Sequence, residues 1–395
     1  MSHRETDVAP RSLVSFEFVG LCVVAFLAVC NVTVFYNLFG YLASLGVPAQ
    51  VRGLLVGAAS LTAMVLYLVA SPFVGVRRAP AAMLVGMAVL AASGWAYLAV
   101  HGPFGILVLR VLNGAGHFLL GAGATALLVT VMPPEKSGQA FGIYSVAILV
   151  AYGVVPAVMD ALVPHLPGPA HGYALATASV LPAAWIVLRV RRLPALAHDA
   201  ARDAPLRWAE IRENLTAPRV ALLLALNTGY FANWSSLFFL FKGFAVDKGV
   251  GNVGTFFTVL TAVMIVIRLA AGRLFDRVRK VRLVVASFLA IAVAHLALLA
   301  APAALIPLVG ALFGLGLGAG YPAINGLMFD SSPPRLRPLN ANLMLFAVQG
   351  GSFLGPAIGG AIVAQRGHPG YAVASVALAL AAAGTSALLA RGGPA

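Results

Sequence analysis

Long apolar runs separated by short polar turns dominate the chain. They predict helices over about Phe16–Leu45, Val51–Ala70, Pro80–Val100, Pro103–Met132 and Gly138–Leu162, and a sixth that ends at Arg189, Arg191 and Arg192. The pattern resumes over Val220–Phe241, Val253–Leu274, Val281–Ala301 and Ala303–Phe329, with two further helices starting near Asn340 and Tyr371. Runs of about 20 apolar residues are what a helix needs to cross a hydrocarbon core. They are continuous rather than alternating, which argues against a membrane β-barrel. The expectation is an all-α membrane protein of twelve transmembrane helices.

Leu193–Arg219 is the longest polar segment. It reads as a linker between a six-helix bundle of residues 1–192 and a second of residues 220–395. Within it, Trp208–Leu215 predicts a short interfacial helix. The two halves repeat. Pro133-Pro134, Gly114, Gly116 and Pro156 recur as Pro333-Pro334, Gly314, Gly316 and Pro356. Asn31, Phe35 and Asn37 recur in the same order as Asn227, Phe231 and Asn233. Such a repeat predicts two bundles related by an axis along the membrane normal.

Composition agrees. Of 395 residues, 61% are hydrophobic and 10% charged, against about 25% charged in soluble domains. A net charge of +14 would ordinarily raise nucleic acid as a partner, but its placement argues otherwise. With the N-terminus in the cytoplasm, Arg52, Lys242, Lys248 and Arg366 fall outside and Arg110 and Arg268 within spans, and the rest of the 26 Lys and Arg are cytoplasmic. That is the positive-inside pattern. The charge therefore reports orientation and contact with anionic lipid, with both termini and the linker in the cytoplasm. The apolar run after the polar N-terminus is too long for a cleaved signal and reads as the first span. Cys22 and Cys30 stand about 12 Å apart on that helix, too far for a disulfide.

Candidate chemistry sits inside the spans. Arg110, Asn113, Gly114, His117 and Gly121 share one face of the fourth helix. A charge within a span costs about 2.5–3.5 kcal/mol on insertion scales and marks a functional site by default. The bland alternative is an arginine bonded to backbone carbonyls and a buried, hydrogen-bonded histidine. Arg268, a turn from the end of the eighth helix, is a second cation of the cavity or a snorkelling side chain. Other polar stripes point the same way: Thr33, Asn37 and Tyr41; Asn227, Tyr230 and Trp234; Tyr321 and Asn325; Asn342, Phe346 and Gln349. Facing inward they line a cavity; otherwise they are interhelical hydrogen bonds worth about 0.6 kcal/mol each. No mid-span carboxylate, P-loop, His-Glu-x-x-His or Cys-x-x-Cys occurs, so no enzyme, metal site or cofactor is expected.

The turn Gly272-Arg-Leu-Phe-Asp276-Arg277-Val-Arg279-Lys280 resembles the loop signature of the major facilitator superfamily. Arg110 with Gly114 resembles the family's fourth-helix signature, and Gly351-Ser-Phe-Leu-Gly355-Pro356-Ala-Ile-Gly359-Gly360 its glycine-proline motif. Close packing by small residues is the plainer account of the last. The resemblance implies the two-bundle fold, alternating access and a proton-coupling role for Arg110. It also implies a gate at Gly272, Asp276, Arg277 and Lys280, with Asp276 against the start of the fifth helix. Ser71–Arg78, the copy of that loop in the first half, is shorter and has no acid.

The expected function is secondary active transport of a small solute across the inner membrane by a monomer. Efflux of a metabolite or drug-like compound, coupled to protons as in antiporters, is the first reading. Uptake or exchange of a small organic anion such as a carboxylate, bound by the span arginines, is the alternative. The expected substrate-binding residues are Asn37, Tyr41, Arg110, Asn113, His117, Asn227, Tyr230, Trp234, Arg268, Tyr321, Asn325 and Gln349.

Overall fold

The computed structural model describes residues 13–70, 74, 77–131, 137–190, 208–333 and 336–388, without the side chains at 129, 137–139, 141, 208, 270–277, 338 and 388. Among these residues all regular structure is helical. Helix α1 (Phe16–Thr33) passes through a 3₁₀ turn (Val34–Asn37) into α2 (Leu38–Ser44), and together they form the first span. Then come α3 (Ala49–Val69), α4 (Ala79–Ala96), α5 (Pro103–Val131) and α6 (Ser137–Leu162). The sixth span joins α7 (Pro169–Ala176) to α8 (Val180–Val190). A short α9 (Trp208–Thr216) precedes α10 (Pro218–Asp247), α11 (Val253–Arg277), α12 (Lys280–Ala300), α13 (Ile306–Ser331) and α14 (Arg337–Leu388).

Local chemistry sets several boundaries. Ser15 Oγ accepts the Phe18 N–H at 3.2 Å and Glu17 lies in the first turn, which caps α1 and favours its positive end. Proline opens α4, α7, α10 and α13, where its missing N–H costs nothing. Gly367 breaks α14 with φ 68° and ψ −177°, backbone that glycine alone adopts without strain. Helix α14 thus supplies two spans. With it, nine stretches among the described residues are long and apolar enough to cross a membrane, and Val253–Leu269 is a shorter one. Helix α10 completes the twelve although Asn227, Asn233, Ser235, Ser236 and Lys242 interrupt its apolar run.

The first span differs from the uninterrupted helix the sequence suggests. Thr33 Oγ1 donates back to Val29 O at 2.9 Å, a bond that bends helices. Four 3₁₀ residues follow, each turning about 120° rather than 100°, so the chain beyond them is rotated by about 80°. Thr33, Asn37 and Tyr41 therefore do not share a face.

The two six-helix bundles are built alike. Helix α5 packs on α3 and α4, and α13 packs on α11 and α12. Gly114 and Gly116 lie against Ala59 O of α3 and Gly86 O of α4; their repeat partners Gly314 and Gly316 lie against Leu260 O of α11 and Ser287 O of α12. The bundles meet along α3–α14 and α6–α11, and α10 also touches α2 and the 3₁₀ turn. Phe104, Leu181, Leu269, Leu308 and Val373 remain exposed on outward faces, apolar surface on a scale that implies a hydrocarbon solvent. Helix α9 is pinned to the second bundle: Asn214 Nδ2 donates to Asn340 Oδ1 at 2.7 Å, and Asn340 Nδ2 to Ser332 Oγ at 2.7 Å.

Candidate functional site

A cavity of about 140 Å³ lies between the bundles. One wall is polar and belongs to α5, an unbroken helix that keeps Arg110, Asn113 and His117 on one face, as their spacing predicts. Arg110 is 4% exposed. Its Nε donates to Leu55 O at 3.3 Å and its Nη2 to Val56 O at 2.7 Å. Its guanidinium also lies 5.0 Å from the Phe35 ring centroid. Two carbonyl dipoles and a ring face compensate part of a buried charge. Among the described residues, no carboxylate pairs with it. Asn113 donates from Nδ2 to Ser93 Oγ at 2.6 Å and accepts the Tyr97 hydroxyl at 3.0 Å on Oδ1, which ties α5 to α4. His117 and, from α14, Gln349 reach the cavity with no hydrogen-bond partner among the described residues.

The opposite wall is aromatic. Phe231, Trp234 and Phe238 stand at spacings of three and four along α10, one face of a helix. Tyr152 of α6 meets Trp234 edge-on at 5.2 Å and Phe238 at 5.1 Å. None of the residues that line the cavity is acidic.

Arg110, Asn113, His117, Trp234 and Gln349 thus come together, and the other expected binding residues do not join them. Asn227 is fully buried and donates to Met344 O at 3.0 Å. The Tyr230 hydroxyl donates to Leu317 O, and Asn325 donates to Tyr321 O on its own helix at 2.9 Å. Arg268 stands 5.8 Å from the Tyr321 ring centroid. Phe231 packs edge-on against Tyr230 and Tyr321, so this cluster backs the aromatic wall and leaves the cavity to others. The 3₁₀ turn swings Asn37 and Tyr41 away, and Tyr41 packs edge-on against Tyr173 at 5.6 Å. Lys280 pairs with Asp330 at 2.5 Å inside the second bundle. The surroundings of Gly272 and the side chains of Asp276 and Arg277 lie outside what the structure describes, as does most of the linker. Tyr152, Phe238 and Phe239 line the cavity although the sequence reading passed over them; the aromatic spacing on α10 was the available signal.

The bundles also join where α6 and α10 end and α11 begins. Asp160, on α6, accepts Lys242 Nζ of α10 at 2.5 Å and the Tyr36 hydroxyl on Oδ1. Its Oδ2 accepts the Gly254 N–H of α11 at 3.0 Å, so one carboxylate sits at the positive end of a helix from the other bundle. Lys242 Nζ also donates to the Tyr36 hydroxyl at 2.9 Å. Backbones touch beside this network. A Cβ on Gly53 of α3 would lie 2.1 Å from Pro356 O of α14, and one on Gly254 would lie 2.4 Å from Ala157 Cα of α6.

The family model described as Major Facilitator Superfamily matches residues 21–356 and 250–394. No curated protein matches the chain by sequence. Among solved structures the fold is similar to that of the nucleoside transporter NupG, with a TM-score of 0.74 and 13% identity over 95% of this chain and 98% of that one. It is also similar to the human organic anion transporter MFSD10 (TETRAN), with a TM-score of 0.67 and 15% identity over 94% of this chain and 99% of that one. The peptide transporter POT gives a TM-score of 0.74 and 12% identity over 97% of this chain and 96% of that one. At such identities the likeness speaks for the fold alone.

Proposed function

The chain belongs to the major facilitator superfamily, and from that premise we propose that this secondary transporter carries a small organic anion through its central cavity by alternating access. One observation carries the reading. Arg110 holds a buried charge in the cavity wall, and no acid among the described residues balances it. A cation at that depth is costly without a partner, and an anionic solute supplies one. A lipophilic cation would instead meet an unbalanced positive charge. The organic anion named for one structural neighbour is consistent with this chemistry.

Proton-coupled efflux remains the reading for direction and coupling, on the motif resemblance. His117 faces the same cavity and offers an imidazole nitrogen there as a proton acceptor. The placement of basic residues supports a cytoplasmic location for both termini, which would make the Asp160 end the outer one.

The test is binding to purified protein. Arg110→Ala should abolish the thermal stabilisation given by carboxylates. Arg110→Lys should weaken it about 10-fold or more, because a planar fork becomes a point charge. Undiminished carboxylate binding by a well-folded Arg110→Ala protein, or tighter binding of cationic analogues, would overturn the reading.

A further inference from the structure

We propose that the anion carries a single aromatic ring, and that the α10 wall selects for it; the inference rests on the anion reading above. The cavity is divided by chemistry. Cation, imidazole and two of the amides lie on α5 and α14, and most of the rings lie on α10 and α6; the first span adds Asn31 and Phe35 on the Arg110 side. A ligand that satisfies both walls has a charged head and an apolar body at opposite ends. Size narrows the body. The cavity holds about 140 Å³, and a cavity of about 150 Å³ accommodates benzene. One six-membered ring with a small head fits; a fused polycycle or a peptide does not.

The geometry of the wall argues for an aromatic over an aliphatic body. Tyr152 already meets Trp234 and Phe238 edge-on, with interplanar angles of 67° and 78°. Phe231 repeats that geometry on the other side, at 65° to Tyr230 and 89° to Tyr321. A ring inserted here continues a herringbone in which edges meet faces, the arrangement the ring quadrupole favours. Each such contact adds about 2- to 13-fold in affinity beyond area burial, the equivalent of about 0.5–1.5 kcal/mol. Aromatic walls also attract cations, but Arg110 lines the same space, and no acid does.

Titration calorimetry on the full chain in detergent, with benzoate, cyclohexanecarboxylate, acetate, benzyl alcohol and benzylamine, tests the inference. Benzoate should bind at least about 2- to 13-fold more tightly than cyclohexanecarboxylate, as one edge-to-face contact implies, and acetate more weakly than either. In Phe231→Leu and Trp234→Leu the benzoate advantage should collapse toward unity while cyclohexanecarboxylate affinity holds. The melting temperature of each variant identifies any that fails to fold, and either variant alone suffices. Equal binding of the two ring acids by the wild-type protein would overturn the aromatic inference and leave the anion reading standing. Binding of benzyl alcohol or benzylamine with no carboxylate binding would overturn the anion reading itself. Binding of none of the five would overturn both.

Discussion

Asp160 commits both carboxylate oxygens to groups outside its own helix, and two of its three partners belong to the opposite bundle. Asp160→Asn keeps a neutral acceptor for the Gly254 N–H and removes the charge that Lys242 needs. Hydrogen bonds to charged groups are worth about 1.5–3 kcal/mol. Lys242 and Asp160 are 25% and 14% exposed, so the lower part of that range applies. The closed far end should lose roughly 10-fold in population. Distances between spin labels at His101 and Gly251, both exposed loop positions, should lengthen and broaden in the variant. An unchanged distribution would show that this network does not hold the end shut. Neither residue stood out in the sequence, because an acid and a lysine near span ends look like ordinary interfacial charges. Arg110, Asn113 and His117 were legible, since a straight helix preserves spacing. Asn227, Tyr230 and Asn325 misled for a physical reason: a polar side chain turned to a neighbouring backbone has the same helical period as one turned to a cavity.

Among the elements, α14 shows how one residue divides a span pair. Gly367 adopts φ 68°, and beside it His368 Nδ1 meets Asp247 Oδ2 at 2.5 Å. Gly367→Ala should destabilise the protein by about 1–3 kcal/mol, the cost of holding an L-residue at positive φ with ψ near 180°. A lowered melting temperature with unchanged ligand affinity is the expected result, because the break lies away from the cavity. An unchanged melting temperature would mean that the arms re-register without strain. Helix positions were legible where apolar runs are bounded by proline or charge, as at Pro103. The 3₁₀ turn in the first span was not. Val34–Asn37 carries no proline or glycine, and the turn arises from Thr33 back-bonding and from packing on α10.

At the scale of the molecule, the repeat was the most informative pattern in the chain. Gly114 and Gly314 meet equivalent neighbours in the two bundles, so a sequence offset became a spatial symmetry. Orientation is tested by labelling. A cysteine at position 200 should resist impermeant thiol reagents in intact cells and react after permeabilisation; strong labelling in intact cells would reverse the topology. The unbalanced Arg110 has an electrical consequence. With a monoanion aboard, the cavity is neutral, and exchanging access from one side to the other moves little net charge. The empty carrier keeps that buried positive charge inside a span. Its return step therefore senses the transmembrane voltage, by up to about 2.3 kcal/mol per 100 mV for one full charge. The membrane potential would act on the unloaded protein far more than on the loaded one, and so would set which face the empty cavity waits at.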